Sequence, residues 1–285
     1  MPRLTPPQII ERKSTGPKLT MLTAYDVNFA RMIDEAGIDM VLVGDSLGMV
    51  VLGYESTVPV TMEEMLHHCR AVSKGVNHAM VIGDMPFMSY QISPEDALSN
   101  AGRFIKEAGC DAVKLEGGKV VADTVKRIVS AGIPVVGHVG LTPQSASSIG
   151  GFKVQGRDLQ RAKEILEDAV AISSAGAFAI VLECVPSELS ALITDSIDIP
   201  TIGIGAGPKC DGQVLVTHDM IGLFEKFTPR FVKKYVDLAP QIKKALSAYK
   251  QEVEAGEFPS NEESFSGGEE AVLAIKSLKE KYAKT

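Results

Sequence analysis

Ser174-Ala-Gly-Ala-Phe-Ala-Ile-Val-Leu-Glu183 is the stretch on which the fold turns. A helix-like segment stops at Ala-Gly, a short unbroken apolar run follows, and the run ends on an acid. Glycine just past a helix adopts the left-handed conformation cheaply and closes the helix. Phe-Ala-Ile-Val-Leu, without polar alternation, suits a parallel strand covered on both faces. The same figure recurs. Glu35-Ala36-Gly37 leads through Met40-Val41-Leu42-Val43 to Asp45, and Glu107-Ala108-Gly109 leads through Ala112-Val113 to Lys114-Leu115-Glu116. Ser130-Ala131-Gly132 leads through Pro134-Val135-Val136 to His138, and a looser copy runs from Gly75 through Met80-Val81-Ile82 to Asp84.

Between these runs lie amphipathic segments. Thr61-Met62-Glu63-Glu64 is a capping-box pattern, followed by Met65, Leu66, Cys69, Val72 and Val76 on one face. Ser93-Pro94 sets a capping hydroxyl before a proline at the first helical position. Arg157 to Ser174 reads as a further helix. Eight strands are predicted, at about 19–24, 40–44, 79–83, 111–116, 134–138, 178–183, 200–204 and 214–217. Strands alternating with helices imply an α/β fold, a (β/α)8 TIM barrel in one domain, with an open doubly wound sheet as the alternative. Gly203-Ile-Gly-Ala-Gly207 falls short of a dinucleotide fingerprint and sits late in the chain. The barrel is assigned to residues 1–258. Residues 259–285 read as a C-terminal extension, a linker around Ser260–Gly268 and then an amphipathic helix carrying Val272, Leu273, Ile275, Leu278 and Tyr282.

Twenty-nine basic and 36 acidic side chains in 285 residues give a net charge of −7, which removes the electrostatic reason to expect a nucleic-acid partner. Nothing approaches the roughly 20 apolar residues of a membrane span, and no address is visible, so no membrane partner and a cytoplasmic location are the expectation. Four scattered cysteines, Cys69, Cys110, Cys184 and Cys210, suit neither a zinc site nor a disulfide framework.

In a barrel, the carboxyl ends of the strands carry the chemistry. That rim would collect Asp45, Asp84, Glu116, His138 and Glu183, with Lys114 on the same side of its strand as Glu116. Any one of these acids alone could simply cap a helix or hold a turn. Four carboxylates at one mouth need more positive charge than one lysine supplies, and oxygen ligands favour magnesium over zinc. A metal beside a lysine and a base suggests carbanion chemistry on a small 2-oxo acid. Glu183 is the candidate base. Ser46, in Gly44-Asp-Ser-Leu-Gly48, can offer its hydroxyl to a substrate carboxylate, and Gly150–Arg157 is a candidate lid.

The segments Gly44-Asp-Ser-Leu-Gly-Met-Val50, Thr57-Val-Pro-Val-Thr61, Gly83-Asp-Met-Pro-Phe87, Val113-Lys-Leu-Glu-Gly117, Gly137-His-Val-Gly-Leu-Thr-Pro-Gln144 and Gly151-Phe-Lys-Val-Gln-Gly156 resemble, in order, the signature segments of the ketopantoate hydroxymethyltransferase family. Leu182-Glu183 and Gly203–Gly207 also match, and the resemblance spans about residues 4–258. It implies a (β/α)8 barrel that moves a hydroxymethyl group from 5,10-methylenetetrahydrofolate to 3-methyl-2-oxobutanoate, giving 2-dehydropantoate on the route to pantothenate. By the same resemblance Asp45 and Asp84 would bind Mg2+ and contact the substrate. Glu116 would be tied to the metal through water. Ser46 and Lys114 would contact the substrate carboxylate and oxyanion, His138 would sit beside the bound molecule, and Glu183 would accept the proton. A homodecamer is also implied. The folate donor and the branched oxo acid come from the resemblance alone. The competing readings are a phosphoenolpyruvate mutase- or isocitrate lyase-like reaction without folate, and a metabolite sensor that keeps the pocket.

Overall fold

The apolar runs form β1 Leu19–Thr23, β2 Met40–Val43, β3 Met80–Asp84, β4 Ala112–Lys114, β5 Val135–Gly140, β6 Ala179–Glu183, β7 Thr201–Ile204 and β8 Gly212–Leu215. This is a computed structural model, and it describes residues 2–146, 150–151 and 153–282. Each strand pairs in parallel with the next, and β8 pairs with β1, closing the barrel. The strands are mostly apolar because two cores cover them, with the exposed Thr20 of β1 and Gln213 of β8 as exceptions. One core fills the barrel with Met21, Met40, Met80, Ile82, Val136 and Val181 among others. The other packs Val41, Val81, Val113 and Ile180 against the surrounding helices.

The helices begin where their caps dictate. Thr61 accepts the Glu64 N–H at 3.2 Å, and Ser93 accepts that of Asp96 at 3.1 Å. Asp158, not Arg157, caps the next helix, which therefore runs Leu159–Ser174. Gly109 ends the helix Pro94–Ala108 at φ +70°, a backbone setting that a side chain would strain.

Two expected details differ. β4 stops at Lys114, so Glu116 lies on the loop beyond it, where Gly117 donates its N–H to the His138 carbonyl at 2.9 Å. No helix separates β7 from β8. These strands are short enough that residues 205–211 suffice for the return, held by Lys18 Nζ on the carbonyls of Pro208 and Cys210.

The amino-terminal floor of the barrel is closed by a helix that the sequence reading omits, Pro6–Thr15. Its Ile9 is fully buried in the inner core. Asp39, Asp111 and Asp211 stand immediately before β2, β4 and β8, and each accepts a backbone N–H from the preceding strand: Thr20, Val81 and Thr201, at 2.8–2.9 Å. Each also pairs with a base from the first residues of the chain: Arg12–Asp39 at 3.3 Å, Arg3–Asp111 at 3.1 Å and Lys13–Asp211 at 2.9 Å. The floor thus combines an apolar plug with a ring of partly buried ion pairs.

Asp34 is a purely structural acid. It accepts the backbone N–H groups of Asn77, His78 and Ala79 at 2.8–2.9 Å and so fixes the approach to β3. Burial opposes its charge, but the three donors win and hold its carboxyl below the usual range. Asp34→Ala is expected to cost about 1–3 kcal/mol, read from the urea midpoint. A depressed carboxyl contributes its stability above the unfolded-state pKa. In the unsubstituted protein that share therefore fades as pH falls through the acidic range.

The described chain divides into two compact units, Met1–Val236 and Asp237–Thr285. The boundary expected at 258 falls inside the second unit. That unit holds the helices Leu238–Ala255 and Glu269–Tyr282, and on the latter Val272, Leu273, Ile275, Leu278 and Tyr282 are all exposed. Among the described residues no helix is long and apolar enough to cross a membrane, and the four cysteines are free thiols.

Candidate active site

Alternation along the strands sets the chemistry one step above the inner core. Ile82, Ala112, Val136 and Val181 belong to that core, and two residues later stand Asp84, Lys114, His138 and Glu183. The register places Asp84 beside Lys114 and Glu183 beside Gly140. A cavity of about 480 Å3 opens at this end, lined by Asp45, Ser46, Asp84, Lys114, Glu116, His138 and Glu183. All seven residues expected at the site therefore meet in one space. Leu42, Val181, Ile204 and Val214 give the same cavity an apolar floor.

The polar contacts form a chain. Lys114 Nζ donates to Asp84 Oδ1 at 2.5 Å, and the other Asp84 oxygen accepts the Asp45 N–H at 3.1 Å. His138 lies between two acids, with Nδ1 3.4 Å from Glu116 and Nε2 3.2 Å from Glu183. These are ion-pair distances without hydrogen-bond alignment, since neither ring nitrogen has a properly directed partner. The imidazole is fully buried, and burial and Lys114 both disfavour its charge. The two flanking carboxylates outweigh them and push its pKa up to about 9. It is an imidazolium at neutral pH. Glu116 is held below the usual range: burial would raise it, but His138, Lys114 and the Gln144 N–H prevail.

Asp45 and Asp84 go the other way. Burial raises Asp45 most, followed by the charges of Asp84 and Glu116. Burial also raises Asp84, with Lys114 opposing. Two buried acids pushed upward beside a single lysine are short of positive charge, and that deficit is the condition a divalent cation relieves. Among the described residues no group of three or more His, Cys, Asp or Glu is arranged as a metal cage. Two carboxylates with remaining positions for water and substrate oxygens is the usual Mg2+ arrangement, and Asp45 with Asp84 fits it.

A sequence model of ketopantoate hydroxymethyltransferase matches residues 3–261. The chain belongs to the ketopantoate hydroxymethyltransferase family. It is 59% identical to a 3-methyl-2-oxobutanoate hydroxymethyltransferase of Syntrophomonas wolfei, over 95% of this chain and 99% of that one. It is 61% identical to one of Dehalococcoides mccartyi, over 93% and 94%. Among solved structures, phosphoenolpyruvate phosphomutase from Streptomyces platensis superposes with a TM-score of 0.61 over 99% of this chain and 100% of that chain. At 13% identity, this likeness speaks for the barrel alone.

This ketopantoate hydroxymethyltransferase family member also uses residues that the sequence reading left without a role. Gln144 is buried and donates from Nε2 to Asp45 Oδ2 and to the Met85 carbonyl, both at 2.9 Å. Its backbone N–H reaches Glu116 at 3.1 Å. The Met85 carbonyl can only accept, which fixes the orientation of the amide. Tyr90 locks the other side, donating its hydroxyl to Gln144 Oε1 at 2.6 Å and accepting the Glu116 N–H at 3.2 Å. Gln144 thus holds two of the candidate metal acids in place, Asp45 through its side-chain amide and Glu116 through its backbone N–H. Gln144→Leu is expected to weaken Mg2+ binding about 10- to 100-fold by calorimetry, the usual cost of losing an outer support of a metal site. Unchanged affinity would remove Gln144 from that role.

The expected lid is partly visible. Phe152 lies outside the described residues. Lys153 and Val154 line the cavity, and Gln155 donates its N–H to the Cys184 carbonyl at 2.8 Å, tying the loop down beside Glu183. Cys184 itself takes φ +48°, an unusual setting for a residue with a side chain, at the turn directly after the candidate base.

Proposed function

We propose that this chain transfers a hydroxymethyl group from 5,10-methylenetetrahydrofolate to 3-methyl-2-oxobutanoate, giving 2-dehydropantoate, the first step of pantothenate synthesis. Family membership supports the transfer and the oxo acid. The observation that carries the reading is the meeting of Asp45, Asp84, Lys114, Glu116, His138 and Glu183 around one cavity.

Asp45 and Asp84 would hold Mg2+, with Glu116 supporting the same site. When bound, Mg2+ polarises the keto oxygen and supports the enolate charge. Ser46 is positioned by the Tyr25 hydroxyl at 2.8 Å and offers its own hydroxyl to the substrate carboxylate. Lys114 supplies a fixed positive charge to the substrate oxygens. The apolar floor of Leu42, Val181, Ile204 and Val214 takes the branched alkyl group and excludes water from C3. Glu183, 3.2 Å from His138 Nε2, removes the C3 proton onto a carboxylate oxygen. C3 then bonds to the methylene carbon of the donor, whose bonds to N10 and then N5 break; water supplies the hydroxyl, and the C3 proton and the remaining water proton complete the N–H groups of the departing tetrahydrofolate.

The test is product analysis with 3-methyl-2-oxobutanoate. 2-Dehydropantoate should form only when methylenetetrahydrofolate and Mg2+ are both supplied. Turnover of the oxo acid independent of folate would favour the mutase- or lyase-like alternative.

A further inference from the structure

The cavity has a second acidic pole that the C3 chemistry does not use. Asp219 lines the same space as Asp45 and Lys114, and Tyr25 is near enough to both aspartates for each charge to act on its phenol. Asp219 sits on the short helix Thr217–Met220, which is pinned to β1. Thr217 donates its N–H to Thr23 Oγ1 at 3.0 Å and its hydroxyl to the Thr23 carbonyl. The adjacent His218 does not serve as a counter-charge. It packs against the rings of Tyr25 and Phe29, at 5.3 and 5.5 Å, and burial lowers its pKa. Burial also lifts Asp219 to about 6, with the Lys234 ammonium opposing.

The same cavity is lined by three aromatic rings, Phe224, Phe227 and Phe231, the first two with centroids 5.6 Å apart. The wall depends on Gly205, where a Cβ would come within 2.8 Å of the Phe231 ring and where φ is +64°. The Gly203–Gly207 motif therefore seats an aromatic ring on the barrel rim.

A carboxylate and an aromatic wall in one cavity do nothing for 3-methyl-2-oxobutanoate, which is anionic and has no N–H donor. A carboxylate is an acceptor with two oxygens side by side. It complements a flat heterocycle that presents a ring N–H next to an amino group, and the pterin head of a reduced folate does so. We propose that Asp219 accepts the ring N–H and 2-amino group of the donor's pterin, which packs among Phe224, Phe227 and Phe231. The proposal rests on the folate-donor reading and gives that donor an address in the cavity.

Binding of 6-methyltetrahydropterin and of its 2-desamino analogue to the full chain, by calorimetry, tests it. Asp219→Asn should weaken 6-methyltetrahydropterin about 10- to 100-fold, the effect of disrupting charge-assisted hydrogen bonds. In the unsubstituted protein the 2-desamino analogue should bind correspondingly more weakly, and the variant should discriminate less between the two. Equal affinity of the two compounds for the unsubstituted protein overturns the proposal even if the variant folds poorly. So does an Asp219→Asn protein that binds the pterin as tightly as the original. Tetrahydrofolate tested alongside separates the two levels. If it does not bind the unsubstituted protein at all, the donor reading itself fails. If it binds but is indifferent to Asp219, only the address is wrong.

Discussion

Glu183→Gln is expected to slow exchange of the C3 proton of 3-methyl-2-oxobutanoate by about 10²- to 10⁴-fold, the range a positioned general base contributes. The amide matches the carboxylate in shape but cannot take up the proton. Mg2+ and oxo-acid affinity should change little, because neither Asp45 nor Asp84 depends on Glu183 for its position: their contacts run to Lys114 and Gln144. The check is loss of the C3 proton signal in D2O by NMR, without any folate donor, so that only proton removal is read. Exchange at the original rate would remove Glu183 as the base. His138, 3.2 Å away and cationic, would not replace it, since an imidazolium has no free lone pair to accept a proton.

On the proposed assignment of Asp84 as a direct ligand, Asp84→Ala is expected to reduce Mg2+ affinity by more than about 100-fold, beyond the usual loss for an outer support. Asp84 also accepts from Lys114 and from the Asp45 N–H, so its removal frees both neighbours. Proton exchange should collapse together with metal affinity, in contrast to Glu183→Gln, where affinity stays and exchange is lost. That contrast separates holding the cation from moving the proton. Unchanged Mg2+ affinity would reject Asp84 as a ligand.

The barrel was legible because six of its strands, β2 to β7, are buried on both sides. An apolar run such as Phe178–Leu182 has no polar positions to confuse the pattern, and Ala-Gly stops mark the helix ends. The rim was legible for a related reason. Asp84, His138 and Glu183 are polar residues ending apolar runs, and alternation then aims them inward. Gln144, Tyr90 and Asp219 were not legible as partners of that rim. They reach it on loops or a single helical turn, and no spacing in the chain records that Gln144 comes within hydrogen-bond distance of Asp45. The helix Pro6–Thr15 was missed although it had a local signal. Thr5-Pro6-Pro7-Gln8 combines a cap residue, proline at the first turn and a glutamine whose Oε1 accepts the Thr5 N–H at 2.9 Å. The partners of Arg3, Arg12 and Lys13 had none, since they come from distant parts of the chain.

That stoppered floor governs traffic. With Ile9 and its paired bases closing one end and the inner core filling the barrel, the cavity lined by the described residues opens at the rim loops. A bulky donor resting across that opening would shut the small acid in behind it.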